Sequence, residues 1–179
     1  MSQIASTYAE ALYGLAKEEN LTESMLQQLI VLQESFASEP EFLHLMRAAN
    51  LPKEERCQIL DDCFRGKVEP YVLNFMKILT EKGYMGHFAD FVKAYRDAYN
   101  TDHGIVPVKA VTAVPMTEDQ IARLTEKLGK ITGKTIDLQC RVDASVLGGV
   151  RLDYDGKRVD GTVRSRLDTV SSLLKNTVL

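Results

Sequence analysis

The spacing of the apolar residues changes once along this chain of 179 residues, and that change constrains the fold most strongly. Up to about Asn100 the apolar side chains recur every three or four residues, which is typical of amphipathic helices. From Ile105 onward the sequence becomes rich in valine, which favours strands. We therefore predict an α+β protein with two domains: an antiparallel six-helix bundle over residues 1–104 and a small α/β domain over residues 105–179.

Two of the six predicted helices carry more apolar surface than one core contact requires. The first spans about Ile4 to Glu18, and the fifth spans about Pro70 to Lys82 and is apolar nearly all the way round. Such a helix is either central in its bundle or exposes a face that another molecule covers. The sequence leaves both possibilities open. The candidate contact residues are Tyr8, Ala11, Leu12, Leu15, Phe75, Ile78 and Leu79.

The ends of several elements are also predicted from single residues. Thr22 is expected to cap the second helix, and Thr117 with Gln120 forms a capping box for the helix of the second domain. Gly133 suits the end of that helix. Pro107 restricts the first part of its strand to an edge position, because proline has no backbone N–H to donate.

A hairpin rich in glycine follows a strand with one predicted buried face at Ile136–Val142. Gly148 and Gly149 interrupt the strand pattern, which marks a bulge or a close approach of two backbone segments. Asp155-Gly156 between two strand-like runs is a strong hairpin signal. Asp160 is then expected to cap a closing helix.

The closing helix has one apolar stripe, made of Val163, Leu167, Val170 and Leu174. We expect its first half to lie on the sheet. The sheet is short, so the second half, from Ser171 to Leu179, is the better candidate for contact with a partner.

Neither catalysis nor metal binding is predicted. The three cysteines and three histidines are scattered, and none has the spacing of a zinc site. No phosphate-binding loop accompanies the glycine pair, and no base accompanies Ser145. The formal net charge of −3, with an acidic first half, argues against nucleic acid as a partner. No apolar run is long enough to insert into a membrane, and no cofactor is expected.

Two motifs resemble those of a known family. The first is V-D-x-x-V-L-G-G-V-x-L-x-x-D-G followed by D-G-T-V-R-S-R-L, from Val142 to Leu167, and the second is T-Y-A-E-A-L-Y, from Thr7 to Tyr13. Both are similar to motifs of the δ subunit of F-type ATP synthases, the family that includes the mitochondrial oligomycin-sensitivity-conferring protein. Many members have a basic residue where this chain has Glu10, so no charge contact is carried over to that position.

The resemblance implies a non-catalytic stator subunit, present once per complex, that joins the catalytic head of a proton- or sodium-driven synthase to its peripheral stalk. The implied partners are an α subunit, whose N-terminal helix would lie between the first and fifth helices, and the b subunits, held by the C-terminal domain. The expected b contacts are Val170, Leu173 and Leu174. The implied location is the cytoplasmic face of a bacterial membrane. The alternative is an unrelated helical adaptor or regulatory binding module.

Overall fold

The structure is a computed structural model that describes residues 3–48, 51–146, 148–154 and 156–163. The chain divides into two compact units, Met1–Tyr99 and Asn100–Leu179. The predicted α+β class is confirmed, since helices make up the first unit and the second contains a four-stranded sheet. None of the described helices has both the length and the apolar character needed to cross a membrane.

The first unit is built from α-helices. Their bounds are Gln3–Glu18 (α1), Thr22–Ser38 (α2), Pro40–Arg47 (α3), Lys53–Phe64 (α4), Pro70–Glu81 (α5) and Phe88–Asp102 (α6), with a short 3-10 helix at Met85–His87. Thr22 is the first residue of α2, and Leu21 takes the cap position without a side-chain hydrogen bond. The predicted Thr22 cap is therefore wrong, because the helix begins one residue too early for that hydroxyl.

One apolar core joins the helices of the first unit. Small side chains on α1, at Ala5, Ala9 and Ala16, are fully covered, which allows a neighbouring helix to approach closely. Phe36 of α2 lies near the centre of the core, with ring centroids 5.0 Å from Phe88 and 5.1 Å from Phe42. The helices are thus held mainly by burial of apolar surface rather than by their local propensity.

An ion pair fixes α4 against α5. The Lys77 ammonium lies 2.6 Å from the carboxylate of Asp61, and the Arg65 guanidinium lies 3.2 Å from the same oxygen. The hydrogen bond from Lys77, followed by that from Arg65, lowers the pKa of Asp61 despite an opposing desolvation effect. Asp61 is largely covered, so the pair holds one flank of α5 in place.

The second unit contains a mixed sheet with strand order β2-β1-β3-β4. Its elements are Ile105–Thr112 (β1), Glu118–Thr132 (α7), Thr135–Val142 (β2), a 3-10 helix at Ala144–Val146, Val150–Tyr154 (β3) and Lys157–Asp160 (β4). β1 pairs parallel with β2 and antiparallel with β3, and β4 pairs antiparallel with β3.

Pro107 lies in the central strand, at a point where that strand has a described neighbour on one side only. β2 pairs with β1 from Ile105 onward, whereas β3 reaches back only to Val108. The first three residues of β1 therefore form an edge, as predicted, and the missing N–H of Pro107 costs the β3 ladder nothing.

Both predicted ends of α7 are confirmed. The Thr117 hydroxyl accepts from the amide of Gln120 at 3.3 Å, and the Gln120 side chain accepts from the amide of Thr117 at 3.0 Å. Gly133 ends the helix in the left-handed region, with φ 66°, a conformation that glycine adopts at little cost.

The glycine pair allows the close backbone approach that the sequence predicted. Gly149 has φ 81°, and a Cβ added there would lie 2.6 Å from the carbonyl oxygen of Gly161. The two-residue hairpin is also confirmed, since Tyr154 pairs with Lys157 and Gly156 has φ 70°. Asp160 accepts a hydrogen bond from the amide of Thr162 at 3.0 Å, and the helix that it is expected to cap continues outside the described residues.

The face of β2 that was predicted to be buried is covered at one end only among the described residues. Ile136 is buried, whereas Cys140 and Val142 are exposed. The closing helix beyond Val163 lies outside the described residues, and so do the expected b contacts Val170, Leu173 and Leu174.

Candidate functional site

Helices α1 and α5 lie side by side and run in opposite directions. At one end the hydroxyl of Tyr71, in the first turn of α5, donates to the carboxylate of Glu19, just beyond the end of α1. At the other end the ring of Tyr8 in α1 lies edge-on to Tyr84, shortly after α5, with centroids 6.3 Å apart. These two contacts join the C-terminal end of α1 to the N-terminal end of α5, and the reverse, so the pair is antiparallel.

Phe91 of α6 lies beneath both helices. Its ring meets Tyr8 edge-on at a centroid distance of 6.1 Å and meets Phe75 of α5 at 5.7 Å. Since Tyr8 and Phe75 contact the same ring from different helices, the flanks that carry them face each other above it. We call the surface between these flanks the seam. Its residues are Ile4, Tyr8, Ala11 and Leu15 of α1, and Tyr71 and Ile78 of α5.

The α1 side of the seam is an apolar stripe that the first unit leaves uncovered. Ile4 and Leu15 are 43% and 46% exposed, Ala11 is exposed and Tyr8 is half-buried. Their spacing of four, three and four residues places them on one line along the helix. The buried residues of α1 lie on a different stripe, which includes Leu12 and Ala16. One helix therefore has two apolar faces, of which only one is in the core.

The α5 side is similar. Ile78 is 42% exposed and Tyr71 is half-buried, while Phe75 between them is buried against Phe91. These residues are separated by four and three positions, so they share one flank of α5. The opposite flank carries Lys77, which is paired with Asp61 of α4. α5 is thus held on one side and exposes isoleucine on the other.

The seven residues predicted from sequence divide into two groups. Ala11, Leu15 and Ile78 are exposed and Tyr8 is half-buried, so these four lie in the seam. Leu12, Phe75 and Leu79 are in the core, with 5%, 5% and 0% of their surface exposed. These three were expected to contact a partner, but they are buried inside the first unit. A unit this small needs most of its large apolar side chains in its core.

Sequence reasoning missed three members of the site. Ile4 could have been found, because it lies four residues before Tyr8 on the same stripe. Tyr71 and Phe91 take their places through contacts with Glu19, Tyr8 and Phe75, which no local pattern reveals.

The described residues offer little for catalysis. No group of three His, Cys, Asp or Glu side chains there could hold a metal ion. An open cavity of about 410 Å³ is lined by Lys53, Glu54, Cys57, Glu81 and Lys82. Burial, and after it the charge of Glu81, raises the pKa of the Cys57 thiol, so the thiol remains protonated near neutral pH and is a poor nucleophile.

Comparison with known proteins gives matches over nearly the whole length of the chain. The family model for "ATP synthase delta (OSCP) subunit" matches residues 4–174. The ATP synthase subunit delta of Alkaliphilus oremlandii is 33% identical over 171 residues, covering 96% of this chain and 95% of that protein. A sodium-ion-specific subunit delta of Ilyobacter tartaricus is 31% identical over 95% of this chain and 97% of that protein.

A solved structure has the same fold. It is a chain in the cryo-EM structure of the Toxoplasma gondii mitochondrial ATP synthase hexamer, which superposes with a TM-score of 0.76, covering 97% of this chain and 98% of that chain. The two sequences are 19% identical.

Proposed function

Because the chain belongs to the ATP synthase delta (OSCP) subunit family, we propose that its seam receives the N-terminal helix of an α subunit of the catalytic head. A member of this family is a non-catalytic component of the peripheral stalk of the F-type ATP synthase. It serves ATP synthesis and ion transport only as part of that complex. The family match over residues 4–174 excludes the alternative of an unrelated helical adaptor.

The observation that carries the proposal is the uncovered apolar surface on two adjacent helices. Ile4, Leu15 and Ile78 each expose more than two fifths of their surface, and they line the same seam. An amphipathic helix recognises such a groove by placing apolar side chains at i, i+3, i+4 and i+7 into it. At about 25 cal/mol per Å², burial of about 600 Å² of apolar surface gives roughly 15 kcal/mol before the costs of association.

The N-terminal domain predicted from sequence, residues 1–104, would then act as an antiparallel six-helix bundle that binds the head. The C-terminal domain, residues 105–179, would hold the ends of the b subunits, with Val170, Leu173 and Leu174 as its contacts. A subunit bound in this way at both ends links the head to the stalk and resists the torque of the rotor. In a bacterial cell this places it, once per complex, at the cytoplasmic face of the membrane.

The test is a binding measurement with a charge placed in the seam. Ile78→Asp and Leu15→Asp are compared with Val31→Asp, which replaces a 59% exposed residue on the side of α2 away from its buried stripe. The titrant is a synthetic peptide of the N-terminal segment of the α subunit from the same synthase. We expect a loss of at least about tenfold in affinity for the two seam variants, because a docked helix would remove each carboxylate from water.

The Val31→Asp control should bind within about twofold of the unmodified chain, since its charge stays in solvent. Circular dichroism melts of the three variants establish that each remains folded. Equal affinity of all three for the peptide would refute the proposed groove.

A further inference from the structure

The exposed stripe of α1 does not end at an apolar residue. Continuing the spacing of Ile4, Tyr8, Ala11 and Leu15 by three residues leads to Glu18, which is exposed. Glu18 therefore lies on the same line as Leu15, at the end of the seam where α1 stops and α5 begins.

Two further carboxylates belong to this end. Glu19 follows directly and accepts the hydrogen bond of Tyr71, and Glu69 immediately precedes α5. The amide of Glu69 donates to the side chain of Gln28 at 2.7 Å, which fixes the backbone there. The pKa of Tyr71 is raised first by the hydrogen bond to Glu19 and then by its charge, with smaller effects of burial and of the charge of Glu69, so both carboxylates act on that hydroxyl.

The other end of the seam is aromatic. Tyr84 lies there against Tyr8, and Lys82, which follows the last turn of α5, lines the cavity beside α4 together with Glu81. An apolar seam about 15 Å long, from Tyr8 to Glu18 at 1.5 Å per residue, thus runs from an aromatic end to an anionic end. A surface with this asymmetry distinguishes between the two directions in which a helix could lie on it.

We propose that the helix docked in the seam carries a lysine or arginine at the end that lies over Glu18, Glu19 and Glu69, and that this pairing sets its direction. The inference rests on the proposed docking of the α-subunit helix. The apolar stripe supplies affinity, whereas the charged end selects one of two otherwise similar orientations. Glu18 is the residue to change, because Glu19 is occupied by Tyr71.

The experiment uses the full chain with Glu18→Lys, and Glu34→Lys as the matched control. Glu34 is exposed on the side of α2 opposite its buried stripe. Glu34→Lys therefore changes the net charge by the same amount as Glu18→Lys without placing a charge in the seam. Affinity for the α-subunit peptide is measured at about 20 mM and about 500 mM NaCl, where screening is weak and strong. At low salt we expect Glu18→Lys to weaken binding by about threefold to tenfold and Glu34→Lys by less than about twofold.

The direction in which the docked helix lies is measured separately. A nitroxide label at the basic end of the peptide should broaden the NMR signals of Leu15 and Glu18 more than those of Tyr84 and Met85. A second peptide, with its basic residue at that end replaced by Glu, should bind the Glu18→Lys chain better than it binds the unmodified chain.

The two hypotheses fail in different ways. Loss of binding with Ile78→Asp, together with equal effects of Glu18→Lys and Glu34→Lys, would overturn the charged pairing and leave the groove intact. A label that broadens the signals of Tyr84 and Met85 more than those of Leu15 and Glu18 would overturn the proposed direction of the docked helix. Unchanged binding with Ile78→Asp would overturn the groove itself.

Discussion

Replacing Gly149 by alanine tests how closely two backbone segments of the sheet domain approach. In the structure a Cβ at this position would lie 2.6 Å from the carbonyl oxygen of Gly161 and 3.0 Å from the Cα of Thr162. Both atoms are backbone, so neither can rotate away as a flexible side chain would. The variant must therefore separate the start of β3 from the segment that follows β4.

Gly156→Ala provides the matched control. Gly156 has φ 70°, close to the 81° of Gly149, but no atom of the described residues, apart from its chain neighbours, lies within 4 Å of the added Cβ. Left-handed backbone costs an alanine roughly 1–2 kcal/mol at either position, and the lower entropy of the unfolded chain offsets part of that equally. We expect the steric displacement to add about 1–3 kcal/mol for Gly149→Ala alone.

The assay is hydrogen exchange of the β1 amides that pair with β3, from Val108 to Thr112, in the full chain. Since 1.4 kcal/mol corresponds to tenfold, Gly149→Ala should exchange there about tenfold to a hundredfold faster than Gly156→Ala. Amides of α5, in the other unit, report whether the change is local. Exchange rates in β1 that agree within about twofold between the two variants would refute the close approach as the reason for this glycine.

Two further variants test contacts at single residues. The pKa of Asp61 is lowered, chiefly by Lys77, so its contribution to stability is complete above the unfolded-state value of about 3.9 and is lost as the pH falls through the lower folded value. Asp61→Asn should thus reduce the urea midpoint at pH 7, and a deficit that persists undiminished well below pH 4 would contradict this. Thr117→Ala should cost about 1 kcal/mol and speed exchange of the Gln120 amide, and unchanged exchange there would argue against the capping box.

Local features of the fold were predictable wherever a few neighbouring residues decide the structure. The capping box of Thr117 and Gln120, the end of α7 at Gly133 and the turn at Gly156 each depend on contacts within four residues. The prediction that Thr22 caps α2 also depends on a few neighbouring residues, but it was wrong, because a helix start that shifts by one residue moves the hydroxyl into the first turn. Helix ends are set by small energy differences that packing overrides.

The seam was only half predictable for a different reason. Hydrophobic spacing shows that α1 and α5 have apolar side chains on several faces, but it does not show which face the neighbouring helices cover. Leu12 and Leu15 look alike in sequence, but Leu12 is buried and Leu15 is exposed because the core lies on one side of α1. Phe91, which contacts Tyr8 and Phe75 beneath the seam, belongs to α6, and α6 follows both α1 and α5 in the chain.

The position of β1 at the centre of its sheet has a consequence for synthesis on the ribosome. β1 is the first described strand to be made, yet its neighbour β2 arrives only after α7, and β3 only after a further 3-10 helix. Among the described residues, the core of the helical unit contains none after Tyr99, so this unit is free to fold early, whereas the central strand has no partner until β2 has been made. During that interval β1 offers unpaired edges to other nascent chains, and translational pausing after Thr112 would lengthen the exposure.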